Sequence, residues 1–166
     1  MERTLLISFA LLGYQLAFAC SCIGEASVKE EMARSSAVFM GTVVSSKLKT
    51  VADDSPAENL RLDLEYMEYS LVVEHKYKGW SLNDTVQVVT GFGGGDCGFE
   101  FALGKSYFVY CSYEDRHWNY GEKVKKFLTT DICRRTRLAT DTSERQSLEK
   151  YSTLPWRLWW WWKGVF

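Results

Sequence analysis

The sequence predicts an all-β fold, a small closed barrel of five strands with one or two peripheral helices and an N-terminus tethered by disulfides. Three observations carry that expectation. Five runs rich in β-branched and aromatic residues are separated by turns bearing Gly, Asp, Asn and Ser. The second run, Leu62 to Tyr77, is long enough to coil around a barrel, with Tyr69, Leu71, Val73, His75 and Tyr77 alternating against Ser70, Val72, Glu74 and Lys76. Cys20 and Cys22 stand too close in an extended segment to prefer each other, so each is expected to reach a distant partner.

The chain opens with Arg3, the apolar run Leu5 to Leu12 and the small-x-small site Ala17-Phe18-Ala19, the layout of a secretory signal peptide. Residues 1–19 are therefore read as that signal. The protein is expected to be secreted or extracellular, or held on the cell-envelope surface, with Cys20 as its first residue. Removing 19 of the 166 residues leaves 147, enough for one domain with a real core. A formal charge of -1, with both signs interspersed, argues against nucleic acid or an anionic membrane as the main partner.

Ser27-Val28-Lys29-Glu30 reads as a capping box that opens a short helix through about Arg34, placed to pack on one end of the barrel. Ala37 to Val44 is the first strand, and Gly41 marks a sharp bend or bulge within it. Lys47 to Arg61, with Asp53-Asp54-Ser55-Pro56 and little apolar content, reads as a solvated loop before the long second strand. Gly79 to Asp84 turns the chain into a third strand, Thr85 to Thr90, and Asn83-Asp84-Thr85 fits a glycosylation sequon. Lys105 to Ser112 is the fourth strand, Glu114 to Glu122 a polar hairpin loop, and Lys125 to Thr130 the fifth strand, ending near Cys133. This set suggests a barrel of the OB type, with a sandwich as the competing all-β architecture.

Residues 20–138 form the predicted domain, and residues 139–166 a peripheral helix and a Trp-rich tail. Asp141 to Tyr151 has only Leu148 and Tyr151 as apolar anchors. Leu154 to Phe166 is apolar, but its 13 residues are too few to span a bilayer. Its tryptophans, flanked by Arg157 and Lys163, suit a membrane interface, and a loosely attached tail without a role is the competing reading.

The chemistry centres on Cys20. A free α-amine has a pKa near 8, so a neutral fraction at physiological pH can donate its lone pair to a metal. The carbonyl of the same residue closes a five-membered chelate ring. Such a terminus fits the open coordination position of a catalytic zinc, which otherwise holds water. Cys20 is thus the candidate metal ligand, toward a zinc held by another protein. Lipidation of Cys20 is an alternative, though Ala17-Phe18-Ala19 is a poor lipobox. An acylated amine could not chelate.

Other motifs are weaker. Gly93-x-Gly95-x-x-Gly98 matches a dinucleotide fingerprint by letters, without the strand–helix context that the motif requires. It reads better as backbone that must approach another surface closely. His75 and His117 lack metal-ligand spacing. Cys111, inside Tyr107-Phe108-Val109-Tyr110-Cys111, reads as a buried free thiol rather than a nucleophile, which leaves Cys97 and Cys133 to pair with Cys20 and Cys22. Closing loops this long stabilises by roughly 4 kcal/mol each. No nucleophile–base pair or paired carboxylates can be named, so no enzyme activity is expected.

Cys20-Ser21-Cys22 after a signal peptide, Ala37 to Val43, Val73-Glu74-His75-Lys76-Tyr77-Lys78-Gly79, Asp96-Cys97-Gly98 and Leu128 to Cys133 together resemble the N-terminal, netrin-like domain of the tissue inhibitors of metalloproteinases. The Gly94-Gly95-Asp96-Cys97-Gly98 form and Cys133-Arg134-Arg135-Thr136 look like compact single-domain bacterial-type relatives. The resemblance covers about Cys20 to Leu138. It implies an OB-fold barrel with disulfides Cys20–Cys97 and Cys22–Cys133, and a terminal Cys20 that chelates the zinc of a target metalloproteinase. Ser21 would point to the primed-side specificity pocket, Cys22 and Ile23 would continue along the cleft, and Gly94, Gly95 and Asp96 would form a second limb. The family commonly has proline where this chain has Gly24. The expected protein is a monomer without a cofactor of its own. The alternative is a non-inhibitory netrin-like extracellular binding module, surface-held by its tail.

Overall fold

The structure is a computed structural model that describes residues 22, 24–51, 64–79, 81–93, 96–116, 123–162 and 164. The fold is mostly β. Strands β1 (Ala37–Val51), β2 (Leu64–Lys78), β3 (Thr85–Gly91), β4 (Ser106–Glu114) and β5 (Phe127–Thr129) close into a ring. β1 pairs antiparallel with β2, and β2 with β3. β3 runs parallel to β5, β5 antiparallel to β4, and β4 returns antiparallel to β1. A sixth strand, β6 (Arg137–Leu138), adds to the far side of β4.

β1 belongs to two ladders at once, and Gly41 sits where it must bend. A Cβ at this position would lie 2.7 Å from the Val72 carbonyl oxygen, and the β1–β2 register shifts between Met40 and Gly41. The expected bulge is therefore present. The β1–β2 ladder extends further than expected: it persists to Val51 opposite Leu64, across residues assigned to a loop. A ladder needs backbone partners rather than buried side chains, so the polar composition after Lys47 does not end it.

Alternation places one face of each strand inside the ring. Phe39, Val43, Leu71, Val88, Val109 and Leu128 meet there, with Cys111 fully buried among them. Phe99 and Phe101 pack edge-on against Tyr107, and Tyr69 stacks edge-on against Phe101. The outer faces of β1, β2 and β4 carry a second core of Val38, Tyr77, Phe108 and Tyr110. Tyr77 reaches this side, away from Tyr69 and Leu71, because the register skips Glu74 and then Tyr77 in β2. His75, predicted on the same face as Tyr77, is exposed with its ring against the Tyr77 ring, centroids 4.5 Å apart.

Among the described residues, three helices cover the outer core. α1 (Val28–Arg34) begins at the expected capping box: Glu30 N–H donates to the Ser27 hydroxyl at 3.3 Å, and Ser27 N–H donates to the Glu30 carboxylate at 2.9 Å. α2 (Thr142–Ser152) is capped by Asp141, whose carboxylate accepts from Ser143 and Glu144 N–H groups. It contributes a fully buried Leu148 and, beyond its two apolar anchors, a buried Glu144. α3 (Leu154–Trp162) rests Trp156 and Trp159 on the same cluster. Among the described residues, no helix is long and apolar enough to cross a membrane.

Candidate functional site

The glycine-rich segment after β3 is organised by one carboxylate. Asp96 accepts hydrogen bonds from the backbone N–H groups of Phe92, Gly93 (2.7 Å) and Gly98 (3.1 Å). The carboxylate of Asp96, a residue expected in the second limb, is thus bonded to the backbone of its own loop. Two glycines make the turn possible. A Cβ on Gly91 would lie 2.6 Å from the Asp96 carboxylate, and one on Gly98 would lie 2.3 Å from the Gly91 carbonyl oxygen. Cys97 between them adopts φ +62, a left-handed conformation unusual for a residue with a side chain.

That conformation is held from both sides. Cys97 is itself disulfide-bonded, its carbonyl accepts from Ile132 N–H at 3.0 Å, and Phe99 N–H donates to the Thr90 hydroxyl at 2.7 Å. Ile132 lies in the turn that carries Cys133. Within it, Cys133 N–H donates to the Asp131 carboxylate at 2.8 Å. Thr130 and Thr136 anchor the turn to β4: the Thr130 hydroxyl donates to the Tyr110 carbonyl at 2.9 Å, and Tyr110 N–H donates to the Thr136 hydroxyl at 3.1 Å. Cys133 then binds Cys22 across 111 residues of chain, with the Cα atoms 5.2 Å apart. The segment after the expected mature terminus and the Asp96 loop therefore attach to the same turn.

A group of charges that the sequence reading passed over fixes the chain beyond Cys22. Arg135 donates to the Ala26 carbonyl at 2.7 Å, pairs with Glu25 at 3.3 Å and forks onto the carboxylate of Glu144. Arg137 pairs with Glu25 as well. Glu144, 1% exposed, also accepts from the Tyr110 hydroxyl, and burial together with that bond pushes the Tyr110 hydroxyl far up. The Glu144 carboxylate in turn holds the Arg135 guanidinium above its ordinary value. Next to it, Arg134 joins the fully buried Glu31 of α1 at 3.1 Å. The available signal was the basic run after Cys133, with Glu31 on the face of α1 that also carries Val28 and Met32.

Of the residues expected to contact a protease, Cys22 and Asp96 are described, and both are exposed. Cys20, Ser21, Ile23, Gly94 and Gly95 lie outside the described residues, as do residues 1–19 and 117–122, His117 among them. The Cys22–Cys133 disulfide is present as the resemblance implied. The partner of Cys97 falls outside the described residues. Gly24 has φ +63, and its N–H donates to the Cys22 carbonyl at 3.0 Å. Proline, locked near φ −65, could not take its place in this conformation. Cys111 is a free, fully buried thiol, and burial pushes it well up, away from the reactive thiolate. Among the described residues, no three His, Cys, Asp or Glu side chains come together as a metal site. No protein-family model and no curated protein matches this chain.

Proposed function

We propose that this protein is a secreted inhibitor of zinc metalloendopeptidases, of the tissue-inhibitor type, built on an OB-type barrel and acting through the free N-terminus of Cys20. The amine and carbonyl of Cys20 occupy the position of the zinc-bound water in the target, and Ser21 enters the adjacent primed-side pocket. The inhibitor performs no reaction: it removes the nucleophilic water and fills the cleft. Pairing Cys20 with Cys97 holds the amine beside the Asp96 loop.

One observation carries this reading. The turn holding Cys133 binds Cys22 covalently and Cys97 through the Ile132 N–H, so the chain just after Cys20 and the Asp96 loop share one rigid support. A terminus fixed in advance loses little conformational entropy on entering a cleft, which is what a short chelating segment requires. The ring of five strands, with its single parallel pair and a helix packed outside, supports the OB-type assignment.

A second reading, a netrin-like extracellular binding module without inhibitory activity, is favoured by a different feature: the apolar face that α3 leaves exposed. Intact mass and N-terminal sequencing of the secreted, unreduced protein test the leading proposal. A chain starting at unmodified Cys20 and four hydrogens lighter than its reduced form is expected. An acylated or uncleaved terminus overturns chelation by the Cys20 amine.

A further inference from the structure

α3 has two apolar faces, and the domain uses one. Trp156 and Trp159 pack on the outer core, with ring centroids 5.8 Å apart, and Tyr151 meets Trp156 edge-on at 5.0 Å. Lys29 of α1 places its ammonium 5.0 Å from the Trp156 ring and 4.8 Å from the Trp159 ring, tying the helix down at both rings. Turned away from this contact are Leu158 (59% exposed), Trp161 (73%) and Trp162 (79%). At about 100° per residue, these three side chains span an arc of roughly 100°, a continuous apolar stripe.

Among the described residues nothing covers that stripe, so its partner is sought in its own chemistry. Three such side chains bury at most about 150–250 Å² each, short of the roughly 800 Å² per partner of a standard protein interface. A second copy or another globular protein is poorly served by so small a patch. A bilayer surface sets no such minimum, and its headgroup boundary is where tryptophan partitions, ring among acyl chains and N–H toward water. The local charge agrees, although the chain as a whole carries a formal charge of -1: Leu154 to Phe166 contains Arg157 and Lys163 and no Asp or Glu. The helix is already folded and docked, so seating it carries no coil-to-helix ordering cost.

We infer that α3 docks the protein on the surface of anionic bilayers, with Leu158, Trp161 and Trp162 seated at the headgroup boundary. It lies on the membrane and does not span it. The inference is independent of zinc chelation, because the stripe shares no residue with the Cys22–Cys133 turn or the Asp96 loop.

The test is co-sedimentation of the secreted protein with phosphatidylcholine vesicles, with and without phosphatidylserine, at low and high salt. Binding to the phosphatidylserine vesicles that weakens with salt is expected. The double variant W161S/W162S, at exposed positions, should keep its circular dichroism spectrum and lose at least about tenfold in partitioning. L158E, which places a carboxylate within the stripe, should lose binding similarly. Three results overturn the inference: no binding to either vesicle, equal binding by parent and variants, or a concentration-dependent dimer that the same variants abolish. Protease inhibition by W161S/W162S should match that of the parent, which separates failure here from failure of the proposed function.

Discussion

Gly98 and Gly24 are both glycines near the proposed terminus, and the structure assigns them different sensitivities. At Gly98 a Cβ would strike backbone: the Gly91 carbonyl oxygen at 2.3 Å, its carbon at 2.5 Å and the Gly93 nitrogen at 2.7 Å. Backbone cannot rotate away, so Gly98→Ala is expected to destabilise by about 2–3 kcal/mol, measured by urea unfolding. A Cβ on Gly24 would touch nothing, and Gly24→Ala should cost only the left-handed backbone term of about 1 kcal/mol. Lys78 sets a separate residue-level test. It is 4% exposed, with its ammonium on the Met32 and Ala33 carbonyls at 2.9 and 3.3 Å, and burial lowers its pKa to about 8. Its ordinary value is 10.5, so between about pH 8 and 10.5 the unfolded chain binds the extra proton, and this group's contribution to stability rises with pH. Below that window both states are protonated and the contribution is flat. Cys111 acts with the opposite sign, because its raised thiol keeps its proton while the unfolded chain ionises above 9.0. Comparison with Lys78→Met isolates the lysine: the parent should gain roughly 3 kcal/mol on the variant across the window. A constant difference would contradict the burial argument.

At the scale of elements, β6 and the two helices beside it act as the brace for the N-terminal segment. Arg135 stands between α2 and residues 25–26, joining the buried Glu144 to the Ala26 carbonyl and the Glu25 carboxylate. Removing one member of a buried pair leaves the other charge without its main compensation, so Arg135→Ala is expected to cost about 3 kcal/mol. Arg135→Lys keeps the charge but loses the two-pronged fork, and its stability should fall between parent and alanine variant. Both changes can be read from denaturant midpoints. This brace was the least legible part of the sequence. Periodicity identifies apolar faces, and Glu31 and Glu144 enter buried positions as polar residues whose partners stand 103 and 9 residues away. The two-residue β6 is likewise too short to show a pattern. The capping box at Ser27, the bend at Gly41 and the buried thiol of Cys111 were legible, because each depends on a local rule that the surrounding fold does not override. The end of β1 was misplaced for the converse reason: its last residues pair across the ladder while their side chains are exposed or half-buried, with only Leu48 and Val51 apolar after Val44.

At the scale of the whole molecule, the division of labour follows from the two cores. The inner core closes the five strands into a ring, and the outer core seats the helices against it. Between them runs the turn from Thr130 to Thr136, which touches β4 through hydroxyls, the Asp96 loop through Ile132 and the N-terminal segment through Cys133. A support of this kind gives the proposed terminus a fixed exit from the fold, while α3 presents its exposed stripe independently. The most direct test of the account compares inhibition of a panel of zinc metalloendopeptidases by the mature chain beginning at Cys20 and by the same chain carrying one added alanine before it. The added residue converts the terminal amine into an amide without touching the described fold. The mature chain is expected to inhibit at least one protease, and the extension to reduce inhibition by about 100-fold or more, as for losing a metal ligand. Equal inhibition by both chains, or none by the mature chain with its disulfides formed, would contradict it.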